Sequence, residues 1–129
     1  MSDNITVTGL VATIPNHTVT GTGLAVTTFR LASNQRRYDR AQQKWVDGET
    51  NWYTVAAFRQ LATNIAGSVQ KGQRVIVTGK LKVRDWESED KRGRTVEIDA
   101  DAIGHDLTWG TAAFVRSASA AVAEADAAA

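Results

Sequence analysis

From Ile5 the chain alternates: Ile5, Val7, Gly9 and Val11 on one parity, Thr6, Thr8, Leu10 and Ala12 on the other. That period of two predicts a strand over residues 5–14. Pro15, Asn16 and the Gly21-Thr22-Gly23 cluster then predict a loop. Leu24 to Leu31 is rich in β-branched and aromatic types and predicts a second strand over about 24–36. Residues 39–49 are polar and end in Asp47-Gly48, a hairpin-type loop signal. A third strand is expected over 50–58.

The period then changes. Leu61, Ile65 and Val69 recur at i, i+4 and i+8 beside Ala62 and Ala66, predicting a helix of about three turns ended by Gly72. Strands resume at 73–86 and 94–103, joined by the charged loop from Glu87 to Gly93. Three strands, one helix and two strands is the order of an all-β, five-stranded OB-fold Greek-key barrel with its α-helix between strands 3 and 4. Gly79, midway along the fourth strand, suits a sharp barrel bend. Leu107, Trp109, Thr111 and Ala113 alternate again and predict an extra C-terminal strand. The expected organisation is one domain over 1–115 and a short, Ala-rich, disordered tail over 116–129 with no apolar face.

Composition narrows the chemistry. At 129 residues, 43% hydrophobic and 22% charged, the chain reads as an ordinary globular domain. It has no cysteine, which excludes disulfides, thiolate catalysis and cysteine-held metal clusters. Two histidines, His17 and His105, leave little for a triad or a histidine metal site. Residues 5–29 are uncharged, long enough to span a bilayer, but hold eight threonines, three glycines and Pro15. They read as strands, so no membrane partner is expected. The start, Met1-Ser2-Asp3-Asn4, has neither the basic end nor the apolar core of a secretion signal, which points to the cytoplasm.

A formal net charge of +1 conceals an uneven distribution. Residues 30–94 carry 14 Lys/Arg against 7 Asp/Glu, whereas residues 95–129 carry one Arg against six acids. The basic stretch also holds Tyr38, Trp45, Trp52, Tyr53, Phe58 and Trp86. Alternation puts Trp52, Thr54, Ala56 and Phe58 on one face of the third strand, opposite Tyr53, Val55 and Ala57. On the fourth strand Lys80, Lys82, Arg84 and Trp86 share a face, with Val75, Val77, Leu81 and Val83 assigned to the core. A cationic ladder beside exposed rings suits single-stranded nucleic acid: cations neutralise phosphates and unpaired bases stack on the rings. The helix presents Gln60, Thr63, Asn64 and Gln70, too little positive charge to read a duplex groove.

Several of these residues have a plainer reading as well. Phe58 fits either a stacking platform or a cap on the core. Tyr38 and Trp45 lie in the polar loop, where they contact nucleic acid or pin a hairpin, Tyr38 being the better candidate for contact. Tyr53 and Phe29 have core parity. Lys71, Arg36, Arg37 and Arg59 either extend the phosphate-binding surface or are solvated cations. Glu97, Asp99 and Asp101 share the polar face of the fifth strand, where they can pair with Lys82 or Arg84. Alternate strand residues splay, so these carboxylates are not expected to hold a metal. No cofactor is expected, and with no nucleophile–base pair in view neither is an enzyme.

The runs Trp52-Tyr53-Thr54-Val55-Ala56-Ala57-Phe58-Arg59-Gln60-Leu61-Ala62 and Lys71-Gly72-Gln73-Arg74-Val75-Ile76-Val77-Thr78-Gly79-Lys80-Leu81-Lys82-Val83-Arg84-Asp85-Trp86 resemble the bacterial single-stranded DNA-binding proteins. The stretches 38–49 and Gly104 to Phe114 resemble actinobacterial members, which use the latter as an extra strand clamping neighbouring subunits. The resemblance covers about residues 4–115. It implies a homotetramer that wraps single-stranded DNA without sequence preference, with Trp52, Phe58, Trp86 and Tyr38 as stacking positions. Lys71, Lys82 and Arg84 carry over as phosphate contacts. It further implies work in replication, repair, recombination or DNA uptake, at the nucleoid. Family members usually end in a Gly/Pro/Gln-rich linker and an acidic tip closing with Pro-Phe, which recruits replication and repair enzymes. This chain reads Ala123-Glu124-Ala125-Asp126-Ala127-Ala128-Ala129, so recruitment by that route is not expected and the chain resembles a short paralogue. Mixing with a longer paralogue stays open, as do an oligomeric scaffold and an RNA-binding protein as alternatives.

Overall fold

Alternation becomes pairing in the computed structural model, which describes residues 2–117. The strands are β1 (Asp3–Val11), β2 (Asn16–Val19), β3 (Ala25–Asp39), β4 (Lys44–Phe58), β5 (Arg74–Glu87) and β6 (Arg92–His105), with α1 (Arg59–Ser68) after β4. β1 runs antiparallel to β5, from Asp3↔Leu81 to Leu10↔Arg74, and meets β3 at Leu10↔Ala32 and Val11↔Leu31. β3 pairs with β4, β4 runs parallel to β6 through Val55↔Ile98, and β6 pairs with β5. The five strands β1, β3, β4, β6 and β5 therefore close on themselves, with α1 between the third and fourth of them in chain order, as an OB barrel requires.

The odd-numbered residues of β3, β4 and β5 point inward. Phe29, Leu31, Val55, Ala57, Val75 and Val77 are buried, together with Val7, Val11 and Ile98. α1 contributes Ala62 and Ile65, and Val69 follows just past its end. Fully burying such a side chain is worth roughly 1.5–3 kcal/mol, so this cluster fixes which face of each strand is left outside. Thr27 is the one polar side chain sealed inside it among the described residues. Its hydroxyl donates to the Ala62 carbonyl at 2.7 Å, so the His17 Nδ1–H 2.8 Å away must be the donor to Thr27. That relay ties β2, β3 and α1 together.

The structure corrects four sequence expectations. The loop over 15–23 contains β2, paired with β3 from Asn16↔Thr28 to Val19↔Ala25. Its residues are all exposed, so no apolar alternation announced it. β3 and β4 continue through the supposed polar loop, and the turn lies at 40–43 instead of Asp47-Gly48. Gly48 is needed for close approach: a β-carbon there would strike the Gln35 carbonyl. The helix stops at Ser68 because Val69 turns extended and drops into the core; Gly72, at φ 93°, serves the turn into β5. Finally, residues 107–113 form no strand, and among the described residues none pairs with them.

That last segment is instead held by local contacts. Asp106 Oδ1 accepts the Thr108 N–H at 3.0 Å, and this bond, helped by the Arg74 charge, holds the Asp106 carboxyl below the usual aspartate range. Trp109 N–H donates to the Asp106 carbonyl, and its ring lies 4.6 Å from the Arg74 guanidinium. Ser117 bonds the side-chain amide of Asn64. The tail expected over 116–129 lies, from residue 118 onward, outside the described residues.

Candidate nucleic-acid interface

Because odd positions of β3, β4 and β5 are claimed by the core, the even ones face outward and the strand registers line them into rows. One row runs Arg30↔Thr54, Thr54↔Glu97 and Glu97↔Lys82. The next runs Thr28↔Ala56, Ala56↔Asp99 and Asp99↔Lys80. Trp52↔Ala32 and Arg84↔Thr95 lie to one side of these rows, and Val26↔Phe58 to the other. Trp52, Phe58, Lys80, Lys82 and Arg84 therefore occupy one outer face, joined by Trp86 two residues beyond Arg84.

The rings on this face are uncovered: Trp52 is 50% exposed, Trp86 47% and Phe58 39%. Each is positioned by a specific neighbour. The Arg30 guanidinium sits 5.4 Å from the Trp52 ring centroid, a cation–π contact that steadies the indole. Trp86 lies opposite Gly93, over the space a β-carbon there would fill. Phe58 ends β4 where Arg59, at φ 60°, swings the chain into α1. Beside it opens a groove of about 400 Å³ lined by Phe58, Arg59, Lys80, Lys82, Asp99 and Asp101.

The ladder is partly compensated. Lys82 Nζ lies 2.5 Å from Asp99, and Arg84 Nε lies 3.0 Å from Glu97. The acids are the more covered partners, so the cationic ends stand outermost and available to an approaching anion. Exposed pairs of this kind contribute only about 0–1 kcal/mol, so a phosphate can displace the carboxylates. Lys80 makes no ion pair among the described residues. Val83, assigned to the core by parity, is 53% exposed. β1 pairs with β5 only as far as Leu81, so beyond it both faces of the β5–β6 hairpin are open.

The β3–β4 hairpin projects in the same manner. Its register passes from Asn34↔Thr50 to Arg36↔Asp47, so β4 spends one residue more than β3. This bulge reverses the parity of β4 and carries Trp45 onto the face that Trp52 occupies. Tyr38 pairs directly with Trp45, their ring centroids 5.6 Å apart and planes at 69°. Arg36 is on the same face, 3.8 Å from Asp47, while Arg37 points to the other side. Lys71 is not brought to the ladder: it lies in the turn before β5, whose middle and far half carry Lys80, Lys82 and Arg84. Alternation alone missed Arg30, Gly93 and the placement of Trp45, since each depends on a cross-strand neighbour.

Elsewhere, a hollow of about 1030 Å³ lies between the end of α1 and residues 105–115, remote from the ladder. Among the described residues no group of three His, Asp or Glu is placed to hold a metal ion, and no helix is long and apolar enough to cross a membrane.

The sequence profile of the Single-strand binding protein family matches residues 2–106. Single-stranded DNA-binding protein 2 of Tropheryma whipplei (strain Twist) is 49% identical over 112 residues, covering 87% of this chain and 74% of the relative. Single-stranded DNA-binding protein 1 of Streptomyces coelicolor is 50% identical over 110 residues, covering 85% and 70%. In structure the chain is similar to the small single-stranded DNA-binding protein of Streptomyces coelicolor, with a TM-score of 0.77 at 45% identity over 84% of this chain and 98% of the other. The second single-stranded DNA-binding protein of Mycobacterium smegmatis aligns with a TM-score of 0.68 at 28% identity, over 90% and 100%.

Proposed function

The chain belongs to the single-strand binding protein family, and from that premise we propose that it binds single-stranded DNA without sequence preference. One observation carries the reading: Trp52, Phe58 and Trp86 stand uncovered on the same barrel face as Lys80, Lys82 and Arg84. Bases stack on the rings, and stacking tolerates any base because every base has a flat face. The cations take the phosphates, Lys82 and Arg84 exchanging carboxylate for phosphate oxygens as the strand arrives. Tyr38 and Arg36 extend the path along one face of the β3–β4 hairpin; Arg37, on its other face, and Lys71 meet DNA only if the strand continues around the hairpin or the barrel. The protein shields transient single strands in replication, repair, recombination or DNA uptake, in the cytoplasm at the nucleoid.

The working form is a homotetramer. Leu107, Trp109, Phe114 and Val115 are each at least 65% exposed, which favours burial against other copies of the chain.

Titration of a labelled dT oligomer tests the binding. Affinity should fall as salt rises, with a log–log slope of roughly −0.7 per phosphate neutralised. Trp52→Ala and Trp86→Ala should each weaken it by about 1–3 kcal/mol while leaving the protein folded. Absence of binding at low salt would reject the proposal, and tighter binding of an rU oligomer of equal length would replace DNA with RNA.

A further inference from the structure

The bulge in the β3–β4 hairpin gives Trp45 a role that its sequence position hides. Counted straight along β4, Trp45 and Trp52 differ in parity and belong to opposite faces. The register slips by one residue between Thr50 and Asp47, and Gly48 permits the slip because the Gln35 carbonyl occupies the space its side chain would need. Beyond the bulge Asp47 and Trp45 follow Thr50 on the face of Asn34, Arg36 and Tyr38. The Thr50 hydroxyl bonds the Asn34 side chain at 2.7 Å, and Arg36 approaches Asp47, so both sides of the slip show the same face in contact.

Trp45 is 61% exposed and Tyr38 50%, although the two rings touch. A pair whose only task was to pin the hairpin would gain most from covering its rings. Standing at 69°, these two form an open corner: one ring supplies a free face and the other an edge, and a flat ring seated in the angle contacts both. Arg36 stands on the same face within reach of Asp47, and Arg40 and Lys44 add cations at the turn beside Asp39.

We propose that Trp45 and Tyr38 together form a nucleobase-binding corner, with Trp45 a stacking platform that extends the strand's path from Trp52 out along the hairpin. The proposal rests on the single-stranded DNA reading and adds a binding position to it. The chain has four tryptophans, so replacing three isolates the fourth. In a full-length variant carrying Trp52→Phe, Trp86→Phe and Trp109→Phe, a dT oligomer should quench the remaining indole. In the otherwise unsubstituted chain, Trp45→Ala should bind labelled dT about five- to a hundred-fold more weakly, and Trp45→Phe should restore most of the loss. An unquenched Trp45 at saturating dT, or native affinity in a folded Trp45→Ala, overturns the corner while the unsubstituted chain still binds. Failure of the unsubstituted chain to bind dT overturns the underlying reading and the corner with it.

Discussion

The indole of Trp86 fills the space above Gly93, directly across the β5–β6 hairpin, where any side chain on residue 93 would collide with it. The absence of a β-carbon on one strand thus sets the resting place of an aromatic on the other. On the opposite face of this hairpin Arg94 bonds Asp85 at 2.8 Å, which helps keep the two strands in register. Gly93→Val should therefore leave the barrel folded but eject the ring. Affinity for dT should drop by as much as Trp86→Ala costs, about 1–3 kcal/mol. Combining Gly93→Val with Trp86→Ala should add nothing further, as a double-mutant cycle would read; additive losses would show that Gly93 acts elsewhere.

Asp99 and Glu97 compete with DNA for the ladder. A phosphate that takes Lys82 leaves Asp99 without its partner and close to a second negative charge. Asp99→Asn should thus bind dT more tightly, by about 1 kcal/mol or less at low salt, with the gain fading as salt screens it. Glu97→Gln should do the same through Arg84. Weaker binding in both variants would mean that the carboxylates hold the cations where DNA needs them.

Arg59 occupies the left-handed region at φ 60°, where a side chain costs roughly 1–2 kcal/mol and glycine very little. The strained residue is a cation lining the groove beside Phe58. Such strain persists where the surrounding structure uses it. Arg59→Gly should raise stability by about 1 kcal/mol or less in urea unfolding, part of the gain being lost to the freer unfolded chain. The same variant should bind dT more weakly and with a shallower salt dependence. Unchanged affinity would make Arg59 a structural accident.

Much of this site is written in plain alternation. Lys80, Lys82, Arg84 and Trp86 could be assigned to one face because no bulge interrupts β5 after Gly79, where the register with β6 does shift. A side chain at Gly79 would meet the Asp99 carbonyl, so the expected bend is a close approach between backbones. Parity failed where its premises lapse. Val83 alternates correctly, but β5 has outrun the barrel and there is no core beneath it. Asp47-Gly48 has turn composition, yet the glycine serves a bulge. Asn16-His17-Thr18-Val19 pairs through its backbone with every residue exposed, so no hydrophobic pattern exists to read. Trp45 needed the bulge itself, which follows from how two strands meet and not from either alone.

The alternation of Leu107, Trp109, Thr111 and Ala113 remains a strand pattern without a strand. Strands form only where a neighbouring edge accepts their backbone groups, and among the described residues no strand pairs with this segment. Leu107, Phe114 and Val115 are left 65%, 84% and 85% exposed, a cluster that a soluble monomer would not favour. If another copy supplies the missing edge, removing apolar contacts should cut the assembly down before it harms the barrel, whose core contains none of these residues. Leu107→Ser combined with Phe114→Ser should sediment as a smaller species than the unsubstituted chain at equal concentration, with an unchanged far-ultraviolet circular dichroism spectrum. Binding of a short dT oligomer should persist, because Trp52, Phe58 and Lys80 all come from a single chain, while binding of a long one should weaken as fewer faces act together. Identical sedimentation of the two proteins would place the subunit contacts on some other surface.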